Sequence, residues 1–204
     1  MSLGIPIPHL NYEQIRCKAE DFLAKYYPSG SIPVPIEDIV DLKMGINIYP
    51  IVGLKSAFEI DGFTSSDLRE IAVDDHLYQK VPNRFRFTLA HELGHIILHA
   101  DIYGQLKFNN AEQWKECYGK FSEFESKRME WQANAFGGLV LVPKKALEQQ
   151  TASHLQDVLK KANRRDISPA IWEVAENLLA KTFEVSGQVM AKRLDYDKIK
   201  EKLY

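Results

Sequence analysis

Two histidines and a glutamate stand at a spacing that suits metal binding and hydrolysis. The segment His91-Glu92-Leu93-Gly94-His95 separates its histidines by four residues, so on a helix both imidazoles project from one face. Two such imidazoles can bind one zinc ion at about 2.0–2.1 Å each. Glu92 lies next to His91 on the helix, where its carboxylate can take a proton from a water molecule. The pattern therefore predicts metal-assisted hydrolysis, with His91 and His95 as metal ligands and Glu92 as the general base.

A catalytic zinc site needs a third protein ligand. A histidine six residues after His95 would supply one, but Asp101 stands there. The helix predicted further along the chain offers three carboxylates instead, those of Glu123, Glu125 and Glu130. We prefer Glu130, because Asn134 lies one turn later on the same helix face and can support a ligand from outside the metal shell.

Other side chains are candidates for supporting roles. His99 continues the four-residue series, but each such step drifts by about 40° round an α-helix, so we expect His99 behind the metal face as a structural or outer partner. A donor for the developing oxyanion is also expected, and the alternatives are Tyr103, Tyr118 and His154. His9 and His76 have no partners by spacing, and we interpret them as surface residues.

Short sequence signals indicate which elements position these residues. Apolar residues recur at helical spacing over residues 11–27, where Asn11 and Gln14 have the spacing of a capping box. A short helix that follows two prolines and ends at Gly45 is predicted next. Three segments then favour β-strands, namely residues 46–49, 57–60 and 71–73. A small three-stranded sheet packed between helices indicates an α+β fold.

Both groups of candidate ligands fall on predicted helices. Asn83 is a suitable N-cap for the helix that carries the histidines, and Ser122 begins a capping box for the helix that carries Glu130. The second helix is expected to end before Pro143. Residues 100–121 between the two are predicted as a looser connection.

The C-terminal part has the pattern of a helix-turn-helix. We divide the chain into residues 1–144, which carry the predicted site, and a helical subdomain of residues 145–204. Residues 178–194 are predicted as helix, short turn and helix. The second of these helices would present three side chains to DNA, those of Gln188, Lys192 and Arg193. Nearby acidic residues count against DNA binding, and the alternative is a helical cap on the rest of the protein.

Composition predicts a soluble protein of the cytoplasm. Hydrophobic residues make up 45% of the chain, and 26 Lys and Arg against 28 Asp and Glu give a net charge of −2. These values are typical of globular proteins and give no general attraction to nucleic acid or anionic membranes. Cys17 and Cys117 form no disulfide framework, which suits a reducing compartment. We expect neither a signal peptide nor a membrane-spanning segment.

The segments around the two motifs resemble a known family. Residues 84–99, Arg-Phe-Arg-Phe-Thr-Leu-Ala-His-Glu-Leu-Gly-His-Ile-Ile-Leu-His, and residues 130–136, Glu-Trp-Gln-Ala-Asn-Ala-Phe, are similar to the core of the ImmA/IrrE metallopeptidase family, as is Leu-Val-Leu-Val-Pro at residues 139–143. The order of predicted elements over residues 11–143 matches as well. Gln132 is a departure, because the family often has an acidic residue there.

The resemblance implies a fold, a reaction and a class of substrate. It implies a zincin-like fold and a zinc-dependent, gluzincin-like peptidase whose ligands are His91, His95 and Glu130 and whose base is Glu92. Its substrate would be a regulatory protein, such as a helix-turn-helix repressor or an antitoxin-like protein. A substrate strand would add to a sheet edge, which we expect at residues 69–74, with an internal strand as the alternative.

A second function stays open at this point. The protein would then be a transcription-regulating module that binds protein or DNA and whose metal site is structural or inactive. The two functions differ in their need for Glu92, because only a peptidase requires a general base.

Overall fold

The computed structural model describes residues 4–202 as a mostly helical protein with one small sheet. The helices are α1 (Tyr12–Tyr26), α2 (Ile36–Asp38), α3 (Leu54–Phe58), α4 (Asp75–Lys80), α5 (Pro82–Leu98), α6 (Ala100–Tyr103), α7 (Ala111–Tyr118), α8 (Glu123–Leu141), α9 (Lys144–Ala162), α10 (Pro169–Phe183), α11 (Gly187–Tyr196) and α12 (Ile199–Lys202). A π-helical turn, Ile39–Lys43, continues α2, and the strands are β1 (Asn47–Ile51), β2 (Gly62–Thr64) and β3 (Glu70–Asp74). The predicted α+β class with a helical C-terminal part is confirmed.

The sheet has the strand order β1-β3-β2, so β3 lies in its centre. β3 pairs parallel with β1 and antiparallel with β2. The predicted edge at residues 69–74 is therefore wrong, and the alternative of an internal strand is confirmed. The reason is burial, because Ile71, Ala72 and Val73 have no exposed surface and a run buried on both faces suits a central strand. β2 is the outer strand that packs against α5.

Residues 57–60 do not form the predicted strand. Ala57 and Phe58 belong to the short helix α3, and Glu59 ends that helix in the left-handed backbone region at φ 63°. The strand begins instead at Gly62, where a Cβ atom would lie 2.7 Å from the carbonyl oxygen of Ala72 and 2.9 Å from Cγ2 of Thr88. Glycine thus lets β2 approach both β3 and α5 closely. The prediction failed because the residue pattern at 57–60 contains no information about this distant packing.

The predicted helix starts are correct in two cases and wrong in one. Capping boxes form at Asn11 and at Ser122. Asn83 is not the N-cap of α5, which begins at Pro82 without a side-chain cap, because the fixed φ and missing N–H of proline suit the first turn. Within the predicted loose connection of residues 100–121, the structure forms α6 and α7.

The apolar core continues across the predicted boundary at residue 144. One buried cluster contains Phe22 and Phe136 as well as Trp172, Leu179 and Leu194 from the C-terminal helices. The division into residues 1–144 and 145–204 stays a prediction. A second buried cluster, which includes Phe63, Tyr103, Phe108 and Met129, lies beside the candidate site.

Arg193 is buried, so its prediction as a nucleic-acid contact is wrong. Its side chain is 3% exposed, and its guanidinium lies 2.6 Å from Asp197 and donates to the carbonyl of Val142 at 3.1 Å. Arg16 of α1 lies 2.9 Å from the other carboxylate oxygen of Asp197. Arg193 therefore links α11 to the end of α8 directly, and to α1 through the shared partner Asp197. The other two predicted contacts, Gln188 and Lys192, are exposed.

None of the helices within residues 4–202 has both the length and the apolarity that crossing a membrane requires.

Candidate metal centre

Helices α5 and α8 cross at close to backbone contact, and this crossing assembles the site. A Cβ atom on Gly94 would lie 2.9 Å from Cα of Ala133, and one on Gly137 would lie 3.1 Å from the backbone nitrogen of His91. Glycine at both places removes the side chains that would hold the helices apart. The close approach brings Glu130 of α8 to the histidines of α5.

The three predicted ligand groups meet at one place. Nε2 of His91 and Nε2 of His95 are 3.1 Å apart, and carboxylate oxygens of Glu130 lie 3.3 Å and 3.6 Å from them, respectively. Ligands held about 2.0–2.1 Å from a tetrahedral zinc ion are about 3.4 Å apart. The observed spacings match that value, so the residues present fit a metal ion with two imidazoles and one carboxylate. Within residues 4–202 no other cluster of histidine, cysteine and acidic side chains comes together in this way.

The other two candidate carboxylates, those of Glu123 and Glu125, bind other partners. Glu123 lies in the exposed first turn of α8 and pairs with Lys127. Glu125 accepts the backbone N–H and hydroxyl of Ser122 in the capping box. Only Glu130, two turns into the helix, reaches the histidines.

The carboxylate of Glu130 changes the proton affinity of His91. Burial alone would lower the pKa of His91, but its hydrogen bond to Glu130 and the charges of Glu92 and Glu130 raise that pKa to about 9. Burial would raise the pKa of Glu130, but its hydrogen bond with His91 and the nearby imidazole of His95 hold that pKa well below its ordinary value. The Glu130 carboxylate is therefore ionised, and a metal ion that binds here takes the place of a proton on His91.

Outer partners hold the ring of each histidine. Nδ1 of His91 donates to Oδ1 of Asn134 at 3.2 Å, in the place predicted for Asn134. Nδ1 of His95 lies 3.0 Å from Nδ1 of His99, which is 1% exposed and lies behind the metal face as predicted. Burial lowers the pKa of His99 to about 3, with the charge of His95 acting in the same direction. Nε2 of His99 in turn lies 2.8 Å from Oε1 of Gln132.

The carboxylate of Glu92 is buried next to the ligands and is held by the sheet. Thr64, in the edge strand β2, donates its hydroxyl to Oε2 of Glu92 at 2.9 Å. Glu92 is 5% exposed and borders the same cleft as the ligands. The predicted base therefore lies beside the ligand triad with one oxygen anchored.

A cleft of about 350 Å³ opens above the triad. Its lining includes Lys55, Asp61 and Gly62, and also Trp114 and Tyr118 of α7. Trp114 stacks on Tyr118 with ring centroids 4.8 Å apart. Gly62 of β2 borders the cleft, and the outer edge of β2 pairs with no other strand among residues 4–202.

Two of the three candidate oxyanion donors lie at this cleft. The Tyr118 hydroxyl donates to Oε1 of Glu130, and burial, reinforced by the charge of Glu130, raises the pKa of Tyr118. Tyr103 is buried with its ring 5.7 Å from that of His95. The third candidate, His154, is wrong, because it lies on α9 and bonds to Thr182 of α10 at 2.9 Å. His9 and His76 are exposed, as predicted.

Sequence reasoning missed two residues at the site. Thr64 follows a turn in a three-residue strand, and nothing in its neighbours points to Glu92. Gln132 was noticed only as a departure from the family pattern, although it lies one turn from Met129 on the buried side of α8. A buried amide on an otherwise apolar helix face was the signal available for Gln132.

Comparison with known proteins identifies the family. Residues 45–195 match the IrrE N-terminal-like domain, a peptidase family. The structure is similar to that of a Mycobacterium tuberculosis transcriptional regulator, with a TM-score of 0.54, 14% identity, and coverage of 88% of this chain and 46% of that one. This likeness concerns the fold alone, and the chain spans less than half the length of that regulator. No curated protein sequence matches the chain. Because the matched residues make up well over half of its 204 residues, the chain belongs to the IrrE N-terminal-like domain family of peptidases.

Proposed function

We propose that this protein is a zinc-dependent endopeptidase that cuts a regulatory protein in the cytoplasm. The observation that carries the proposal is the triad of His91, His95 and Glu130 at tetrahedral spacing, with the carboxylate of Glu92 beside it at the base of an open cleft. Two imidazoles and one carboxylate are a common ligand set of catalytic zinc. Zinc also leaves a fourth position for water or substrate in such sites. The unpaired cysteines, Cys17 and Cys117, agree with a reducing compartment.

Different residues of this protein have separate roles in peptide hydrolysis. A zinc ion at the triad supplies Lewis acidity, which lowers the pKa of water toward ~7 and polarises a carbonyl group. Glu92 accepts the proton of the attacking water and passes it to the leaving amine. The hydrogen bond from Thr64 to Oε2 fixes the Glu92 carboxylate, so that it does not have to be ordered during the reaction.

The edge of β2 is the proposed binding surface for the substrate backbone. Asp74 donates to the carbonyl of Asp61, and Ser65 donates to the carbonyl of Glu70. Hydrogen-bonded pairs alternate along antiparallel strands, so the backbone groups of Gly62 point away from β3. Gly62 borders the cleft. An extended peptide that pairs with Gly62 would therefore pass over the triad as an added strand.

We assign the oxyanion donor to Tyr118. Its hydroxyl contacts a ligand oxygen of Glu130 and its side chain is only partly buried, whereas Tyr103 is buried against His95. Because its pKa is raised, Tyr118 keeps its proton and remains a donor. Removal of one such donor costs about 10²–10³-fold in kcat.

Tyr118→Phe is expected to lower kcat by about that factor and to leave zinc content unchanged. Steady-state cleavage of a peptide that spans the cut site, together with metal analysis, measures both. Tyr78→Phe is the matched control, since Tyr78 is 43% exposed and its ring packs on Phe85 away from the cleft. A wild-type kcat in Tyr118→Phe would assign the donor role to Tyr103 instead.

A helix-turn-helix repressor is the proposed substrate. The family resemblance supports this class, and the similar structure from Mycobacterium tuberculosis is named a transcriptional regulator. DNA contact by this chain is not part of the proposal, because Arg193 is buried and the exposed Lys192 lies near the acidic Glu184 and Asp195.

The test is incubation of the zinc-loaded protein with a helix-turn-helix repressor, sought first among the genes beside its own. Mass spectrometry is expected to find one new pair of chain ends in the repressor, and a chelator is expected to abolish the cut. Regulation of transcription by the two proteins together with no cut in the repressor would favour the binding module. In that case the metal site would be structural or inactive.

A further inference from the structure

A line of hydrogen bonds runs from the N-terminal segment to a metal ligand. Nε2 of Gln132 donates to the carbonyl of Pro8 at 2.7 Å, and Oε1 of Gln132 lies 2.8 Å from Nε2 of His99. Nδ1 of His99 lies 3.0 Å from Nδ1 of His95. Gln132, His99 and His95 are all buried, at 0%, 1% and 2% exposure.

The carbonyl of Pro8, the first group in this line, determines which atom donates in each hydrogen bond that follows. A backbone carbonyl can only accept, so the Gln132 amide must turn its NH₂ group to Pro8 and its oxygen to His99. That oxygen accepts, so His99 carries its proton on Nε2. A neutral imidazole with a proton on Nε2 has a lone pair on Nδ1, and this lone pair accepts the N–H of His95 Nδ1. The neutral form of His95, which is the form that binds a metal, is thereby left with its lone pair on Nε2.

We propose that His99 and Gln132 are positioning residues that hold His95 in the tautomer whose Nε2 lone pair faces His91 and Glu130. The inference rests on the proposed function, in which His95 Nε2 is a metal ligand. Metal-bound histidines usually donate their other N–H to a carboxylate or a carbonyl. Here the acceptor is a second imidazole, which can accept only because Gln132 occupies its far nitrogen.

The line also gives the N-terminal segment a part in the site. Pro8 lies outside residues 45–195, which match the family domain. Ile5 and Ile7, on either side of Pro6, are buried in the apolar cluster beside the site. The segment is therefore packed in place, and its Pro8 carbonyl is a fixed acceptor that defines the orientation of the Gln132 amide.

The first experiment reads the tautomers directly. The metal-free wild-type protein, labelled with ¹⁵N at histidine, is examined by NMR through the couplings between ring protons and ring nitrogens. We expect neutral His99 with its proton on Nε2. A proton on Nδ1 of His99 would overturn the inference, whether or not the protein binds zinc.

The second experiment measures zinc affinity by competition with a chelator. His99→Phe and Gln132→Leu remove the acceptor and the amide, and each is expected to weaken zinc binding by about 10–100-fold, the usual cost of losing an outer partner. Gln132→Glu is expected to stay within a few-fold of wild type, because a protonated carboxyl can donate to Pro8 and accept from His99 in the same directions. Thr151→Val is the control, since Thr151 is a buried hydroxyl that bonds only to the carbonyl of Leu147 one turn earlier in α9.

The outcomes separate this inference from the proposed function. If wild type takes up no zinc, the proposed function fails, and the ligand role of His95 fails with it. If wild type binds zinc, and His99→Phe and Gln132→Leu melt as folded proteins and bind zinc equally well, the positioning role alone is wrong. If those two variants do not fold, the tautomers measured in the wild-type protein decide whether the positioning role is correct.

Discussion

Glu92→Gln is expected to lower the rate of substrate cleavage by about 10²–10⁴-fold, the usual contribution of a positioned general base. The carboxamide has the size of the carboxylate, and its oxygen can still accept the hydroxyl of Thr64, which now lies 2.9 Å from Oε2. Zinc content is expected to stay at the wild-type level, because Glu92 is not a member of the triad. Substrate binding is expected to persist as well, since the edge of β2 is unchanged.

Three measurements on purified protein check this result: metal content, substrate affinity and cleavage rate. Glu70→Gln makes the same chemical change at an exposed position at the start of β3 and is expected to cleave at the wild-type rate. Cleavage by Glu92→Gln at the wild-type rate would show that the assigned mechanism is wrong. Loss of zinc in the same variant would instead make Glu92 a ligand.

The local part of the site could be predicted because it depends on one helical period. A spacing of four residues places His91 and His95 on one face of any helix, and the structure places that helix at α5. The same rule favoured Glu130, through its partner Asn134, over Glu123 and Glu125. His99 was placed behind the metal face by the same rotation.

The parts that depended on distant pairing could not be predicted. The central place of β3 follows from its pairing with β1 on one side and β2 on the other, and no local pattern states which strands are neighbours. Thr64 reaches Glu92 only because β2 packs on α5, which the glycine at residue 62 permits. The line from Pro8 to His99 joins residues more than ninety positions apart, through Gln132.

The error at Arg193 has a similar origin. A basic residue on the second helix of a helix-turn-helix pattern is usually solvated, and the pattern alone favoured exposure. Burial of its guanidinium requires charge partners and acceptors from elsewhere in the fold. Asp197, one turn later, supplies the charge and also pairs with Arg16 of α1, while the carbonyl of Val142, directly after α8, accepts from the guanidinium. Of these partners, only Asp197 could be anticipated from the sequence, because it lies four residues after Arg193.

Glu130→Ala is expected to weaken zinc binding by more than about 100-fold, because loss of a direct ligand costs more than the 10–100-fold of an outer partner. Among residues 4–202, Glu130 is the acidic residue that joins both histidines in a cluster, and its carboxylate oxygens lie 3.3 Å and 3.6 Å from their Nε2 atoms. Two imidazoles alone leave the ion short of the three protein ligands that catalytic zinc sites use. Cleavage is therefore expected to fall with the metal occupancy.

Titration with zinc in the presence of a chelator measures the affinity, and thermal melting checks that the variant is folded. Glu123→Ala is the matched control on the same helix, because Glu123 is exposed and pairs only with Lys127 in the first turn of α8. Its zinc affinity is expected to equal that of wild type. Full metal retention in Glu130→Ala, together with loss in Glu123→Ala, would move the third ligand into the first turn of α8. Such a result would contradict the site described here, since the helix crossing at Gly94 and Gly137 brings Glu130 to the histidines.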